Sequence, residues 1–211
     1  MTRLAIHRRT VLSASAALAA VLPCSVRAAT DAGPTGPIRQ LCDALLGIMK
    51  AGSTTPFAQR FATLAPMTDA VFDLEVILQV SVGPAWASLA PEQKTALMTA
   101  FRRYTVANYV SSFDSYTGQR FEVKPETRSL ADGDQVAQTR IIPPSGESHE
   151  LDYVMRHGPK GWKAVDVLAD GAISRVAVQR SDFRRLLSSG GATALVNSLQ
   201  KKIADLSGGA I

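Results

Sequence analysis

Residues 149–169, HELDYVMRHGPKGWKAVDVLA, decide the fold because apolar and polar side chains alternate on both sides of a turn. Leu151, Tyr153 and Met155 recur at every second position, which is the period of a β-strand with one apolar face. The sequence HGPKG at 157–161 is typical of a tight turn. Apolar residues resume at Trp162 and continue to Leu168. The segment therefore predicts an antiparallel β-hairpin.

Two more strands are predicted before this hairpin, one around Phe121 and Val123 and one at 135–142, which Pro143-Pro144 ends. Helical periodicity covers most of the remaining sequence. We predict helices at 38–49, 56–64, 69–82, 91–113, 174–188 and 192–206. Thr68 is the predicted N-cap of the third helix, and Gly190-Gly191 is the predicted break near the end.

Helices, then an antiparallel sheet, then helices predict a single α+β domain. We assign this domain to residues 38–206, with a flexible leader at 29–37 and a flexible tail at 207–211. The sheet is expected to have four to five strands.

The first 28 residues have the pattern of a secretory signal peptide. Arg3, Arg8 and Arg9 precede an apolar run at 11–22, and Val26 and Ala28 fit the small positions of a cleavage site. The run is too short to span the bilayer core of roughly 30 Å. The pair Arg8-Arg9 also resembles a twin-arginine signal. We expect export to the periplasm with cleavage near Ala28.

The charge of the chain changes once this segment is removed. The whole chain has 23 basic and 18 acidic residues, but residues 1–28 hold four arginines and no acid. The mature chain therefore has 19 basic and 18 acidic residues, a net charge of +1. No basic run remains that would indicate nucleic-acid binding.

Motifs that would indicate catalysis or metal binding are lacking in the sequence. His149-Glu150 begins like an HExxH zinc motif, but Tyr153 stands where the second histidine belongs. Cys42 is the one cysteine left in the mature chain and is predicted to be a buried structural thiol. Asp73 and Asp166 have apolar neighbours, so either could be a general base, although helix capping or ion pairing is the more common role for such an acid. We therefore expect no enzyme activity, no cofactor and no metal.

Aromatic side chains concentrate on the long helix and on the strands. On the helix, Leu97, Phe101, Thr105, Asn108 and Ser112 form one stripe, with Tyr104, Tyr109 and Phe113 beside it. Such a set can fill a core or line a cavity between the sheet and its helices. Periodicity alone leaves both interpretations open.

Two segments carry a resemblance to a known family. One is Phe72-Asp73-Leu74 followed by Gly83, Trp86 to Leu89 and Pro91-Glu92-Gln93. The other contains Tyr153, GWKAVDV at 161–167, GAIS at 171–174 and QRSDF at 179–183. With the aromatic helix between them, these segments resemble the toluene-tolerance or MlaC-like periplasmic phospholipid-binding proteins over roughly residues 38–205. The amino-acid sequence of the second segment is most similar to those of the hopanoid-associated branch, HpnM. Ala90 departs from the family pattern, which often has Ser or Thr there.

The resemblance implies an NTF2-like fold, in which a curved sheet and helices enclose an apolar lipid cavity. The residues we expect to line it are Phe72, Val76, Phe101, Tyr104, Tyr109, Phe113, Phe121, Leu151, Tyr153, Met155, Trp162 and Leu168. The implied ligand is a phospholipid or a hopanoid. The implied partners are an inner-membrane permease of the ABC type with an MCE-type component, and an outer-membrane lipoprotein complex.

Three functions are compatible with the sequence at this point. The first is a lipid carrier between the two membranes. The second is an NTF2-like isomerase or hydratase that uses Asp166 or Asp73 as its base. The third is an adaptor with a filled core that only docks onto a membrane transport complex.

Overall fold

The computed structural model describes residues 33–211. Four α-helices and a short 3-10 helix come first, five strands come next, and one long helix ends the chain. The helices are α1 (Thr35–Ala51), α2 (Phe57–Val71), α3 (Leu74–Val82), α4 (Pro91–Ser112) and α5 (Arg175–Ser207), with the 3-10 helix at Gly83–Ser88. The strands are β1 (Arg120–Ser129), β2 (Gln135–Ile142), β3 (His149–Gly158), β4 (Gly161–Ala169) and β5 (Ile173–Ser174).

The five strands form one curved antiparallel sheet in the order of the sequence, β1-β2-β3-β4-β5. The predicted α+β architecture with four to five strands is confirmed. Within residues 33–211 no helix is both long enough and apolar enough to cross a bilayer.

The inner face of the sheet packs against the helices. Ala137, Tyr153, Met155 and Ala164 are at most 1% exposed and belong to the same core as the buried faces of all five helices. On the opposite face, Asp152 accepts a hydrogen bond from the backbone N–H of Thr139 at 3.0 Å. The alternation predicted for residues 151–155 therefore separates an apolar face from a polar one.

β4 contains one more residue than the segment of β3 with which it pairs. Val154 pairs with Asp166 whereas the next residue, Met155, pairs with Ala164, so Val165 is an extra residue in a β-bulge. In a regular strand, the residue after Ala164 on the inner face of β4 would be Asp166. Because of the bulge, it is Val167 instead.

The boundary between the second and third helices differs from the prediction. Thr68 was expected to cap a helix at 69–82, but it is buried within α2, where its hydroxyl donates to the carbonyl of Leu64. The break comes at Phe72-Asp73, because Asp73 N–H donates to Ala164 O of β4 at 2.9 Å and the Asp73 carboxylate caps Val76 N of α3 at 3.1 Å. The boundary between α2 and α3 is thus set by a contact with the sheet and not by the capping propensity of Thr68.

Both ends of the domain also differ in detail from the prediction. α1 begins at Thr35, so residues 35–37 of the expected flexible leader are helical, and Pro37 fits there because the first turn of a helix does not use its N–H groups. At the other end, α5 is broken at Gly190 and Gly191, as predicted, and then continues to Ser207. Gly191 has a φ of 64° and a ψ of −160°, which favours glycine.

Candidate ligand cavity

A cavity of about 380 Å³ lies between the inner face of the sheet, α4 and the start of α5. This volume falls within the range of roughly 300–1,000 Å³ that is usual for ligand sites. Apolar residues of α3, α4, the sheet and α5 form most of its wall: Phe72, Leu74, Ile77, Phe101, Phe113, Ile141, Leu151, Val167, Ala169 and Val176. Tyrosine and other polar side chains complete the wall: Tyr104, Tyr109, Thr105, Asn108, Ser112, Asp166, Arg175 and Gln179.

Aromatic packing fixes the inner end of the cavity. The rings of Tyr109 and Phe113 stack with centroids 5.9 Å apart, and Phe72 lies 5.6 Å from Tyr109. Tyr109 and Tyr153 are hydrogen-bonded through their hydroxyl groups. Burial raises the pKa of both hydroxyls above their ordinary value, so both are neutral at physiological pH.

Asp166 joins the sheet to the start of α5 at the edge of the cavity. One carboxylate oxygen accepts from Val167 N at 2.7 Å and from Val176 N at 3.1 Å, and the other accepts from the hydroxyl of Ser174. Ser174 in turn caps Ala177 N at 2.9 Å. Each carboxylate oxygen therefore already has a donor within the protein.

Six of the twelve residues predicted to line a cavity are on its wall: Phe72, Phe101, Tyr104, Tyr109, Phe113 and Leu151. Phe101, Tyr104 and Tyr109 belong to the long helix α4, and Phe113 directly follows its last residue. Whether they contact a lipid remains a prediction.

The other six predicted residues do not line this cavity. Tyr153 and Met155 are on the correct face of β3 but lie beneath the wall, in the core. Phe121 packs behind Phe113, with ring centroids 5.9 Å apart. Val76 is half-buried on α3, whose Leu74 and Ile77 reach the cavity instead.

Trp162 and Leu168 are excluded by the register of the hairpin. Trp162 pairs with His157 near the turn, where the two rings are 5.1 Å apart. Leu168 pairs with Asp152, whose side chain is on the polar face of the sheet. Val167 and Ala169 line the cavity in its place, because the bulge shifts the inner positions of β4 by one residue.

Half of the twelve lining residues that the prediction missed are polar. Thr105, Asn108 and Ser112 line the cavity and had been recognised as part of one helical stripe, so their spacing was the available signal. Arg175 gave no comparable signal and Gln179 was noted only within the QRSDF segment, since their position at the cavity depends on how α5 crosses the end of the sheet.

Two comparisons with known proteins bear on this chain. The family described as MlaC protein matches residues 39–201. A phospholipid-binding protein from Ralstonia solanacearum, solved in complex with a phospholipid, has a similar structure with a TM-score of 0.71 and 23% sequence identity. The match covers 82% of this chain and 98% of that chain, so the two proteins share a fold.

Proposed function

Since the chain belongs to the MlaC family, we propose that it is a periplasmic lipid carrier whose cavity encloses acyl chains during transfer between the inner and outer membranes. The observation that carries the proposal is the apolar cavity of about 380 Å³ between the sheet, α4 and α5. The phospholipid complex of the Ralstonia solanacearum protein supports a phospholipid as the ligand. The sequence similarity to HpnM makes a hopanoid the alternative ligand.

The energetics of lipid transfer explain why a cavity is sufficient for this function. Exposing the roughly thirty methylenes of two acyl chains to water costs on the order of 24 kcal/mol, at about 0.8 kcal/mol for each methylene. An apolar cavity removes much of that barrier because it replaces one apolar environment with another. No reactive group is required, and the lipid can return to a membrane in a nearly balanced exchange.

The geometry of the two candidate bases favours a carrier over an isomerase or hydratase. Asp166 uses both carboxylate oxygens to hold the start of α5, and Asp73 caps α3 and does not line the cavity. A general base needs a free oxygen within hydrogen-bond reach of its substrate. The adaptor with a filled core is disfavoured by the cavity itself.

The partners that we propose are those implied by family membership. The carrier would receive or deliver lipid at an inner-membrane ABC permease with an MCE-type component, and at an outer-membrane lipoprotein complex. Export through the signal peptide at 1–28 would place the chain between them.

Native mass spectrometry of the protein purified from its own host tests the proposal. We expect a lipid to copurify at a defined stoichiometry, and fragmentation of the complex distinguishes a phospholipid from a hopanoid. A mature protein that carries no lipid, and takes none up from mixed micelles, would contradict the carrier function.

A further inference from the structure

The polar residues of the cavity are concentrated on one side of it. Thr105, Asn108 and Ser112 lie on successive turns of α4, and Arg175 and Gln179 lie on the first turns of α5. Apart from Asp166 of β4, the sheet and α3 contribute apolar side chains. An amphiphile that places its chains against the sheet would therefore have its polar end beside the start of α5.

Several of these polar groups already have hydrogen-bond partners within the protein. Only the donors and acceptors without such partners are available to a ligand. Thr105 donates its hydroxyl to the carbonyl of Phe101 at 2.9 Å. The side-chain oxygen of Gln179 accepts from the hydroxyl of Ser81 at 3.3 Å, which leaves the amide N–H groups of Gln179 as donors. Asp166 is the one acid of the wall, and both of its oxygens accept hydrogen bonds from the protein. The groups available near α5 are thus mainly donors.

Among residues 33–211, Arg175 is the only cationic residue of the cavity wall. Among residues 33–211 it has no carboxylate within 4.0 Å. Its charge nevertheless acts on the cavity, because it opposes the rise in pKa that burial causes at Tyr104 and Tyr109. The guanidinium thus offers five N–H donors and a positive charge at a wall that also includes the carboxylate of Asp166.

The position of Arg175 is unfavourable for the helix that carries it. It is the first residue of α5, where the positive end of the helix dipole repels a cation. The N–H groups of this first turn are capped by Asp166 and Ser174, so the backbone itself offers little to a ligand. Arg175 is exposed to solvent, so its guanidinium donors are accessible to a ligand at the cavity wall.

We propose that Arg175, assisted by the amide N–H groups of Gln179, binds the phosphate of a phospholipid headgroup at the wall of the cavity. This inference rests on the proposed carrier function and adds a residue that selects an anionic lipid over a neutral one of the same shape. The guanidinium suits a phosphodiester because its fork of donors matches two oxygens of the phosphate.

Binding of two matched lipids by four proteins tests this assignment. The lipids are phosphatidylglycerol and the diacylglycerol with the same two chains. The proteins are the mature wild type, Arg175→Gln, Arg175→Lys and Arg184→Gln, where Arg184 is an exposed residue of α5 that does not line the cavity. Thermal melting of each protein shows that it is folded, and Arg175→Gln should melt no lower than wild type because it removes a cation from the helix start.

We expect Arg175→Gln to weaken phosphatidylglycerol binding about tenfold or more, the range for losing a charged hydrogen bond, and diacylglycerol binding by less than about twofold. Arg175→Lys should recover most of the affinity, and Arg184→Gln should match wild type. Equal losses for both lipids, or no loss for either, would overturn the role of Arg175.

The carrier function and the headgroup assignment fail in different ways. Wild-type protein that binds neither lipid would overturn the carrier function, and the assignment with it. Palmitate that binds as tightly as phosphatidylglycerol, with the same dependence on Arg175, would overturn the choice of a phosphate over a carboxylate.

Discussion

At the scale of single residues, Cys42 illustrates how burial sets chemistry. Its side chain is 4% exposed in the core, and burial raises the pKa of the thiol from 9.0 to about 12. The unfolded thiol ionises from about pH 9 whereas the folded one does not, so the unfolded state gains stability above that pH. The contribution of Cys42 is therefore complete below pH 9 and is lost progressively as the pH rises toward 12.

We predict that Cys42→Ser leaves lipid binding intact and lowers the free energy of unfolding by about 1–2 kcal/mol, because a hydroxyl replaces a buried thiol. Urea denaturation between pH 7 and 10.5 measures this. The deficit of the mutant should narrow above pH 9, since serine does not ionise in this range. A constant deficit would contradict the assigned burial effect.

Leu151 and Met155 occupy the same face of β3 but different environments. Met155 is completely buried in the core, whereas Leu151 lines the cavity. We predict that Met155→Asp destabilises the fold by several kcal/mol, because it buries an unpaired charge. Leu151→Asp should melt much closer to wild type and carry no lipid. Melting and lipid extraction on the same samples check both, and a Met155→Asp protein that is stable and empty would show that Met155 faces the ligand.

At the scale of elements, the sequence predicted the type and order of helices and strands because their periods are local properties. The boundary at Phe72-Asp73 was missed because it depends on a hydrogen bond to Ala164, more than ninety positions away in the chain. The bulge at Val165 was missed for a related reason, since an extra residue in a strand is defined only by the strand that pairs with it. Long-range pairing limits what a local pattern predicts.

The break in α5 gives a test with an internal control. Gly191→Ala should lower the free energy of unfolding by about 1–3 kcal/mol, the usual cost of such a backbone conformation without glycine. Gly47→Ala should instead raise it by roughly 0.5–1 kcal/mol, because Gly47 is within α1 and has open space where a Cβ would be. Chemical denaturation of the two variants should give opposite signs. Equal signs would show that the break at Gly190-Gly191 is not a constraint on the fold.

At the scale of the whole molecule, we predict that residues 1–28 are a signal peptide that directs the protein to the periplasm. Residues 1–28 lie outside the part that the structure describes, so cleavage near Ala28 stays a prediction. N-terminal sequencing of the exported protein should find a start near Ala29, because Val26 and Ala28 fit the cleavage positions. A mature protein that retained residues 11–22 would be anchored to the membrane instead.

The candidate site was predictable in part, along the long helix. Phe101, Tyr104, Tyr109 and Phe113 share a helical side, and the structure brings that side to the cavity. The polar end of the cavity was not predictable, because Arg175 and Gln179 reach it only through the crossing of α5 over the end of the sheet. The sequence thus indicated the apolar part of the site and, of its charged residues, Asp166 but not Arg175.

The extra residue in β4 has a consequence for how the length of this strand can vary among related chains. Loss of Val165 would leave Val154 opposite Asp166 and Met155 opposite Ala164, so both halves of the strand would keep their partners. Loss of Asp166 would also remove the bulge, with Val165 then opposite Val154, but it would remove the carboxylate that holds the start of α5. A deletion is therefore expected to be tolerated at Val165 and not at Asp166.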